Sequence, residues 1–200
     1  SLEIVFWDRS DADRWLLRVL EFYKQCSLKD EKERQGTRAI PASFTPRLRT
    51  DVRLYHVPSD YFAAAAIALL GAKREIFIAS WKNTPRVLLT RPPLPPLRLD
   101  QILAYKAAQG VKVYVLLYKE VEMSGQGNDS APSKQYLEAL SPEGNIIVVR
   151  HPNKIIGGST AIWWSHHEKL TIVDRNLAFV GGIDLSVGRW DDSEKCLDDE

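Results

Sequence analysis

The chain has 200 residues, 44% of them hydrophobic and 26% charged, which suffices to bury a sizeable core. Its net charge of +1 excludes the strongly basic composition typical of nucleic-acid-binding domains, so no nucleic-acid partner is expected. Two distant cysteines, Cys26 and Cys196, form neither a disulfide framework nor a metal-ligand spacing, which favours a reducing, cytoplasmic setting. The longest apolar run, at 61–70, is about half a membrane span, and the N-terminus lacks signal-peptide features. Any contact with a membrane is therefore expected to be peripheral.

The first 27 residues are predicted to form an amphipathic helix, because apolar residues between positions 10 and 26 recur on one helical face. Residues 28–50 lose this periodicity and gather charges, glycine and proline, which is typical of a linker. A second domain is therefore predicted at residues 51–200.

That second domain alternates between strand and helix patterns. Some of its strands are apolar on both faces, which is typical of sheets covered by helices. The sequence therefore predicts an α/β fold with a mixed sheet flanked by helices. The predicted strands are 52–56, 75–80, 111–118, 145–150, 161–165, 169–174 and 177–182, and the predicted helices are 59–73, 99–110 and 133–140.

The segment RPPLPPLR, at 91–98, lies between a predicted strand and a predicted helix. Its Pro93, Pro96 and Arg98 fit the PxxPxR pattern that proline-reading domains bind. The alternative is a stiff surface loop, which we favour because short proline motifs recur by chance.

The segment SHHEKLTIVD contains two adjacent histidines, His166 and His167. On a strand, His167 would share one face with Lys169, whereas His166 would share the other face with Glu168. An imidazole can attack phosphorus while an ammonium group holds the phosphate oxygens, so His167 and Lys169 suit a phosphate site. His166 and Glu168 form a supporting or surface pair. Asp174, an odd number of positions from His167, is expected to frame the end of the strand.

The spacing of these residues continues into a longer pattern. His167-x-Lys169-x4-Asp174, followed after six residues by Gly181 and Gly182, is the HxKx4Dx6GG pattern of the phospholipase D superfamily. The segment 166–192 resembles the first of two such motifs in the eukaryotic phosphatidylcholine-hydrolysing phospholipases D.

The resemblance extends from about residue 45 to residue 200. The segments 75–81, 98–122 and 148–152 are similar to those that precede the motif in these enzymes. The opening helix resembles the last helix of the pleckstrin-homology domain found before this region in some members. The resemblance therefore implies the N-terminal half of a catalytic domain.

The resemblance also implies a reaction. In this family one histidine attacks the phosphodiester and becomes phosphohistidine, and a second protonates the leaving alcohol and then activates water or a primary alcohol. Carried over by position, His167 is the nucleophile or its acid/base partner, Lys169 holds the phosphate, and Asp174 braces the motif.

Further residues take supporting roles. Gly181 and Gly182 are expected to let the backbone pass close beside the motif, and Asp184 to hydrogen-bond near the phosphate. Asp191 or Asp192 could hold the second nitrogen of the catalytic histidine; the alternative is that both belong to a solvated acidic tail.

The implied activity is hydrolysis of phosphatidylcholine to phosphatidic acid and choline, with transphosphatidylation to primary alcohols. Of four histidines, only His167 is followed two positions later by lysine, so a second motif must come from another segment or chain. No metal or cofactor is expected; a phosphoinositide is an expected activator, and a phospholipid membrane surface an expected partner. The alternatives are a dimeric superfamily nuclease and a non-catalytic lipid-surface scaffold.

Overall fold

The computed structural model describes residues 50–120, 128–152 and 165–194, together with Glu21. The chain divides into two compact units, and all of the elements below belong to the unit that includes residues 55–200. Most of the predicted helix at 10–26, most of the linker at 28–50 and all but the last residue of the predicted strand at 161–165 lie outside the described residues.

Three helices are described, and their apolar positions explain where they lie. The first begins at a proline, which suits the first turn because a helix needs no backbone N–H there. It buries Phe62, Ala66 and Leu69, which follow one helical face. The second ends just before Gly110, whose φ of +85° suits a residue without a side chain. The helices are α1 (Pro58–Gly71), α2 (Leu99–Ala108) and α3 (Ser130–Ala139).

A five-stranded sheet has the order β5-β4-β1-β6-β7. The first three strands in this order are parallel, and β6 and β7 are antiparallel to their neighbours. The carboxyl ends of β1, β4 and β5 therefore meet the amino end of β6 at one edge of the sheet. These strands are β1 (Glu75–Ser80), β4 (Lys112–Tyr118), β5 (Ile146–His151), β6 (Leu170–Val173) and β7 (Leu177–Val180).

A short hairpin of β2 (Leu88–Thr90) and β3 (Leu97–Arg98) was not predicted. The proline segment connects these two strands, with Pro93 and Pro96 exposed. Arg98 is instead engaged within the chain, where its guanidinium group pairs with the buried carboxylate of Asp100. The segment therefore forms a surface connection, and binding to a proline-reading domain stays a prediction.

The predicted strand at 52–56 is wrong, because these residues form no regular element. Their two aliphatic side chains, Val52 and Leu54, are exposed, so the aliphatic face of the alternating pattern is not buried.

The two faces of the sheet differ. On one face, alternate strand residues such as Ile78 and Val115 share a hydrophobic core with the three helices. On the other face, Phe77, Tyr114 and Ile172 help to line an open apolar groove. The predicted α/β class, a mixed sheet with helical cover, is confirmed. Within the described ranges, no helix combines the length and apolar character needed to span a bilayer.

Candidate active site

The two adjacent histidines lie just before β6. The strand begins at Leu170, so the predicted strand alternation holds from Lys169 to Val173 but does not reach His167. Lys169, Thr171 and Val173 are all buried on the helix-covered side, whereas His167 is exposed. Strand alternation therefore does not fix the direction of the His167 ring, and the ring contact found for it among the described residues is a tertiary one.

That contact is with Trp81, directly after β1. The ring centroids of Trp81 and His167 are 5.3 Å apart, with an angle of 56° between their planes. The amino end of β6 lies beside the carboxyl end of β1, where Ala79 pairs with Leu170, so the two rings project from neighbouring strand ends. The sequence analysis missed Trp81 as a site residue; its position after a buried strand was the available signal.

Lys169 and Asp184 form a buried ion pair. Their side chains are 5% and 0% exposed, and Lys169 Nζ lies 3.1 Å from Asp184 Oδ2. The atoms are close, yet their angles do not make a hydrogen bond, and neither atom has another hydrogen-bond partner in the part of the chain that is described. The charges of Lys169 and Asp184 neutralise each other. Lys169 Nζ and Asp184 Oδ2 still have hydrogen-bonding capacity that no described residue uses.

The other carboxylate oxygen of Asp184 is fixed by backbone. Asp184 Oδ1 accepts a hydrogen bond of 3.0 Å from the N–H of Trp81. The same two loops are joined further along, where the N–H of Thr84 donates to the carbonyl of Leu185 and the hydroxyls of Thr84 and Ser186 lie 3.1 Å apart. These links bring Asp184 to the end of β1, and its hydrogen bonding near a phosphate stays a prediction.

His166 contacts different residues from those that His167 contacts. Its Nδ1 lies 2.8 Å from Glu168 Oε2, so the predicted pair is formed. The His166 side chain is 11% exposed, and its ring contacts Tyr118 and His151 at 5.9 and 6.1 Å between centroids. The pKa of Glu168 is lowered, first by its own backbone N–H and also by His166. His166 thus belongs to a neighbouring cluster.

Asp174 lies at the far end of β6 with a φ of +54°. Its carboxylate accepts hydrogen bonds from the backbone N–H groups of Lys73, Arg74 and Glu75 at 2.8, 2.8 and 3.0 Å. Burial alone would raise the pKa of Asp174, but these donors lower it below its usual range. Asp174 lies five positions after Lys169, about 16 Å along an extended chain. Asp174 therefore anchors β6 to the start of β1, away from His167.

The glycine pair follows β7. The N–H of Gly181 donates to the carbonyl of Lys169 at 3.3 Å, and Gly182 is exposed. A Cβ built at Gly181 meets no atom within 4 Å in the described structure. The Gly181 backbone thus passes close to Lys169, but no neighbouring atom in the described structure requires a glycine at this position, and the role of the pair stays a prediction.

Asp191 and Asp192 are half-buried. The carbonyl of Asp191 accepts a hydrogen bond of 2.8 Å from the N–H of Ser59, and Asp192 Oδ1 accepts one from the N–H of Glu194. Within residues 165–194, neither aspartate is hydrogen-bonded to His167. Their orienting role stays a prediction.

Tyr61 of α1 packs beside the ion pair. Burial raises the pKa of Tyr61 to about 12, although a hydrogen bond with Thr171 acts in the opposite direction, and the charge of Asp184 adds to the increase. Tyr61 thus connects α1 to the buried face of β6, and no pattern in the sequence indicated this.

A family model described as Phospholipase D matches residues 68–199. Among curated proteins, phospholipase D1 from Rattus norvegicus is 48% identical over 141 residues, and phospholipase D2 from Bos taurus is 46% identical over 155. The matches cover 70% and 77% of this chain but only 13% and 16% of those proteins.

Two solved structures are similar to this chain at 17% sequence identity. NucT from Helicobacter pylori has a TM-score of 0.46, with 65% of this chain and 70% of that chain covered. Nuc from Salmonella typhimurium, a phospholipase D family member, has a TM-score of 0.42, with 64% and 66% covered.

Proposed function

Because the chain belongs to the phospholipase D family of enzymes, as its sequence predicted, we propose that it supplies one half of a phospholipase D active site. The substrate we propose is phosphatidylcholine, hydrolysed to phosphatidic acid and choline. The observation that carries this proposal is the buried Lys169, whose ammonium group keeps unused hydrogen-bond donors close to the exposed His167.

In the proposed reaction, an imidazole nitrogen of His167 attacks the phosphorus. The bond between phosphorus and the choline oxygen breaks, and that oxygen takes a proton from a histidine of the second motif. The resulting phosphohistidine is then attacked by water, or by a primary alcohol in transphosphatidylation, whose proton passes to the second-motif histidine. The phosphorus–nitrogen bond breaks, which releases the phosphate ester and regenerates His167. The reverse assignment of the two histidines is tested by locating the phosphoryl group.

Lys169 stabilises this reaction electrostatically. Its ammonium group can donate to the non-bridging oxygens, on which negative charge increases in the transition state. The charge of Asp184 offsets the free-energy cost of burying the ammonium group, because an unpaired buried charge is strongly destabilising. Since Lys169 and the two histidines supply charge and protons, the proposed chemistry needs no metal.

The second histidine must come from elsewhere in the assembled protein. His151 and His166 lie near the site, but neither has a lysine two positions later. We therefore propose that a segment with a second motif, in the same or another chain, completes the site. Peripheral binding to cytoplasmic membrane surfaces and activation by phosphoinositides belong to the same proposal.

The test is co-expression of this chain with a C-terminal half that carries the second motif, followed by an assay on phosphatidylcholine liposomes containing butanol. We expect phosphatidylbutanol, and we expect His167→Asn to reduce its formation at least about 1,000-fold without altering stability. His56→Asn is the matched control, because His56 is also exposed but lies outside the motif.

Four other outcomes would contradict or change this proposal. Product from this chain alone as a monomer would contradict the two-motif proposal. Plasmid cleavage without liposome hydrolysis would support the nuclease alternative, and liposome binding without turnover would support the scaffold alternative. Phosphoryl trapped on the partner histidine instead of His167 would reverse the two roles.

A further inference from the structure

Trp81 contacts both reactive residues of the motif. Its ring lies 5.3 Å from the ring of His167, and Lys169 Nζ lies 5.9 Å from the centre of its indole. Its backbone is held on both sides, because its N–H donates to Asp184 Oδ1 at 3.0 Å and its carbonyl accepts from Asn128 Nδ2 at 3.4 Å. One aromatic side chain on an anchored backbone therefore lies next to both His167 and Lys169.

The contact with Lys169 matters because it is non-directional. The face of an aromatic ring attracts an ammonium group within about 6 Å without requiring alignment of one particular N–H bond. Asp184 likewise approaches Lys169 Nζ to 3.1 Å without an aligned hydrogen bond. Both contacts hold the ammonium group in place without consuming its hydrogen-bond donors.

The contact with His167 supplies orientation. His167 is exposed, and among the described residues its ring contact with Trp81 is its only recorded side-chain interaction. An exposed imidazole without such a contact would sample several rotamers, and only some of them would aim a nitrogen at the phosphate held by Lys169.

We propose that Trp81 is a positioning residue, which aims the His167 imidazole and holds the Lys169 ammonium group with its donors available. This inference rests on the proposed function and deepens it. Trp81 itself takes no part in bond making or bond breaking; it acts through His167 and Lys169.

The first test compares Trp81→Leu and Trp81→Phe in the co-expressed, two-motif protein. We expect Trp81→Leu to lower kcat about tenfold, which matches the usual strength of a desolvated cation–π contact, with KM within about twofold. Trp81→Phe retains an aromatic face and is expected to restore most of kcat. Wild-type kcat in Trp81→Leu would overturn the proposal.

Phe77→Leu is the matched control. Phe77 is also a half-buried aromatic residue on β1, and the Arg175 guanidinium carbon lies 5.8 Å from its ring centre. This contact lies at the Asp174 end of β6, so kcat should stay close to the wild-type value. An equal loss of kcat in Phe77→Leu would show that Trp81 contributes only general packing and does not position His167 or Lys169.

A second test needs no activity. Labelling of this chain with diethyl pyrocarbonate, quantified by mass spectrometry, should be several-fold faster at His167 in Trp81→Leu, because the indole covers one side of its ring. Labelling at His56 should not change. If the wild-type assembly fails to hydrolyse phosphatidylcholine, the proposed function fails, and unchanged labelling at His167 would still separately overturn the positioning role.

Discussion

At the two ends of β6, an aspartate and a lysine use their hydrogen-bonding capacity in opposite ways. The Asp174 carboxylate accepts from three consecutive backbone N–H groups, so its capacity is largely consumed by the fold. Lys169 is buried beside Asp184 and Trp81, yet it donates no hydrogen bond in the described structure. One strand thus has an end whose side chain anchors the sheet and an end whose ammonium donors are not consumed by the described part of the fold.

Replacement of Asp184 by asparagine is expected to give the largest effect on stability. It leaves the Lys169 ammonium group buried without its counter-charge, which should lower the free energy of unfolding by about 3 kcal/mol. The measurement is urea denaturation of the wild type and the single and double variants. Combining Asp184→Asn with Lys169→Met should recover much of the loss, because no unpaired charge remains. Strictly additive effects would show that the pair is not coupled.

Replacement of Asp174 by alanine tests the anchoring end. Loss of an acceptor for three backbone N–H groups resembles loss of a helix cap, so unfolding should become easier by about 1–2 kcal/mol. Activity per folded molecule should change little, because Asp174 lies remote from His167. Asp60→Ala is the control. Because the Asp60 carboxylate is exposed, its loss should change the free energy of unfolding by at most about 0.5 kcal/mol. A large loss of activity in folded Asp174→Ala would contradict the division between the two ends.

The same variant has a pH signature. The pKa of Asp174 is lowered in the folded state, so its stabilising contribution is present above the unfolded pKa of about 3.9 and is lost as pH falls through the folded value. The stability difference between wild type and Asp174→Ala should therefore be constant near neutrality and should shrink in acid. A difference that persists at the lowest pH would show that packing, and not the charged carboxylate, accounts for the effect.

Tyr61→Phe is expected to have the smallest effect near neutral pH. It removes the hydrogen bond with Thr171 next to the ion pair, at a cost of about 1 kcal/mol. Because burial raises the pKa of Tyr61 to about 12, its contribution should be present below the unfolded pKa of about 10 and be lost as pH rises through 12. Thermal unfolding at neutral and alkaline pH measures both effects. The control is Tyr105→Phe, at an exposed position.

Local patterns in the sequence were sufficient for much of the sheet. The strand at 75–80 was predicted with the bounds that the structure shows, and α1, α2 and β4 differ from prediction by one or two residues at their ends. Each of these elements has a periodicity or a flanking proline or glycine that acts locally. The pair β2 and β3 was missed because its strands are only three and two residues long.

Contacts in the site could be predicted from the sequence only where the two residues lie close together in the chain. The pairing of His166 with Glu168 spans only two residues, so it could be predicted from the local sequence, although neither residue lies in β6. The contact between the Trp81 backbone and Asp184 spans 103 residues, and no local pattern contains it.

The sequence by itself determined the motif, its family and the two residues suited to phosphate chemistry, because these depend on residue types at fixed spacings. Only the tertiary structure decided that Lys169 pairs with Asp184 and that Trp81 lies against both Lys169 and His167. The physical reason is the strand order: β6 pairs antiparallel with β1, which brings its amino end to the carboxyl end of β1. The loops from those two ends then meet, and residues far apart in the chain become one site.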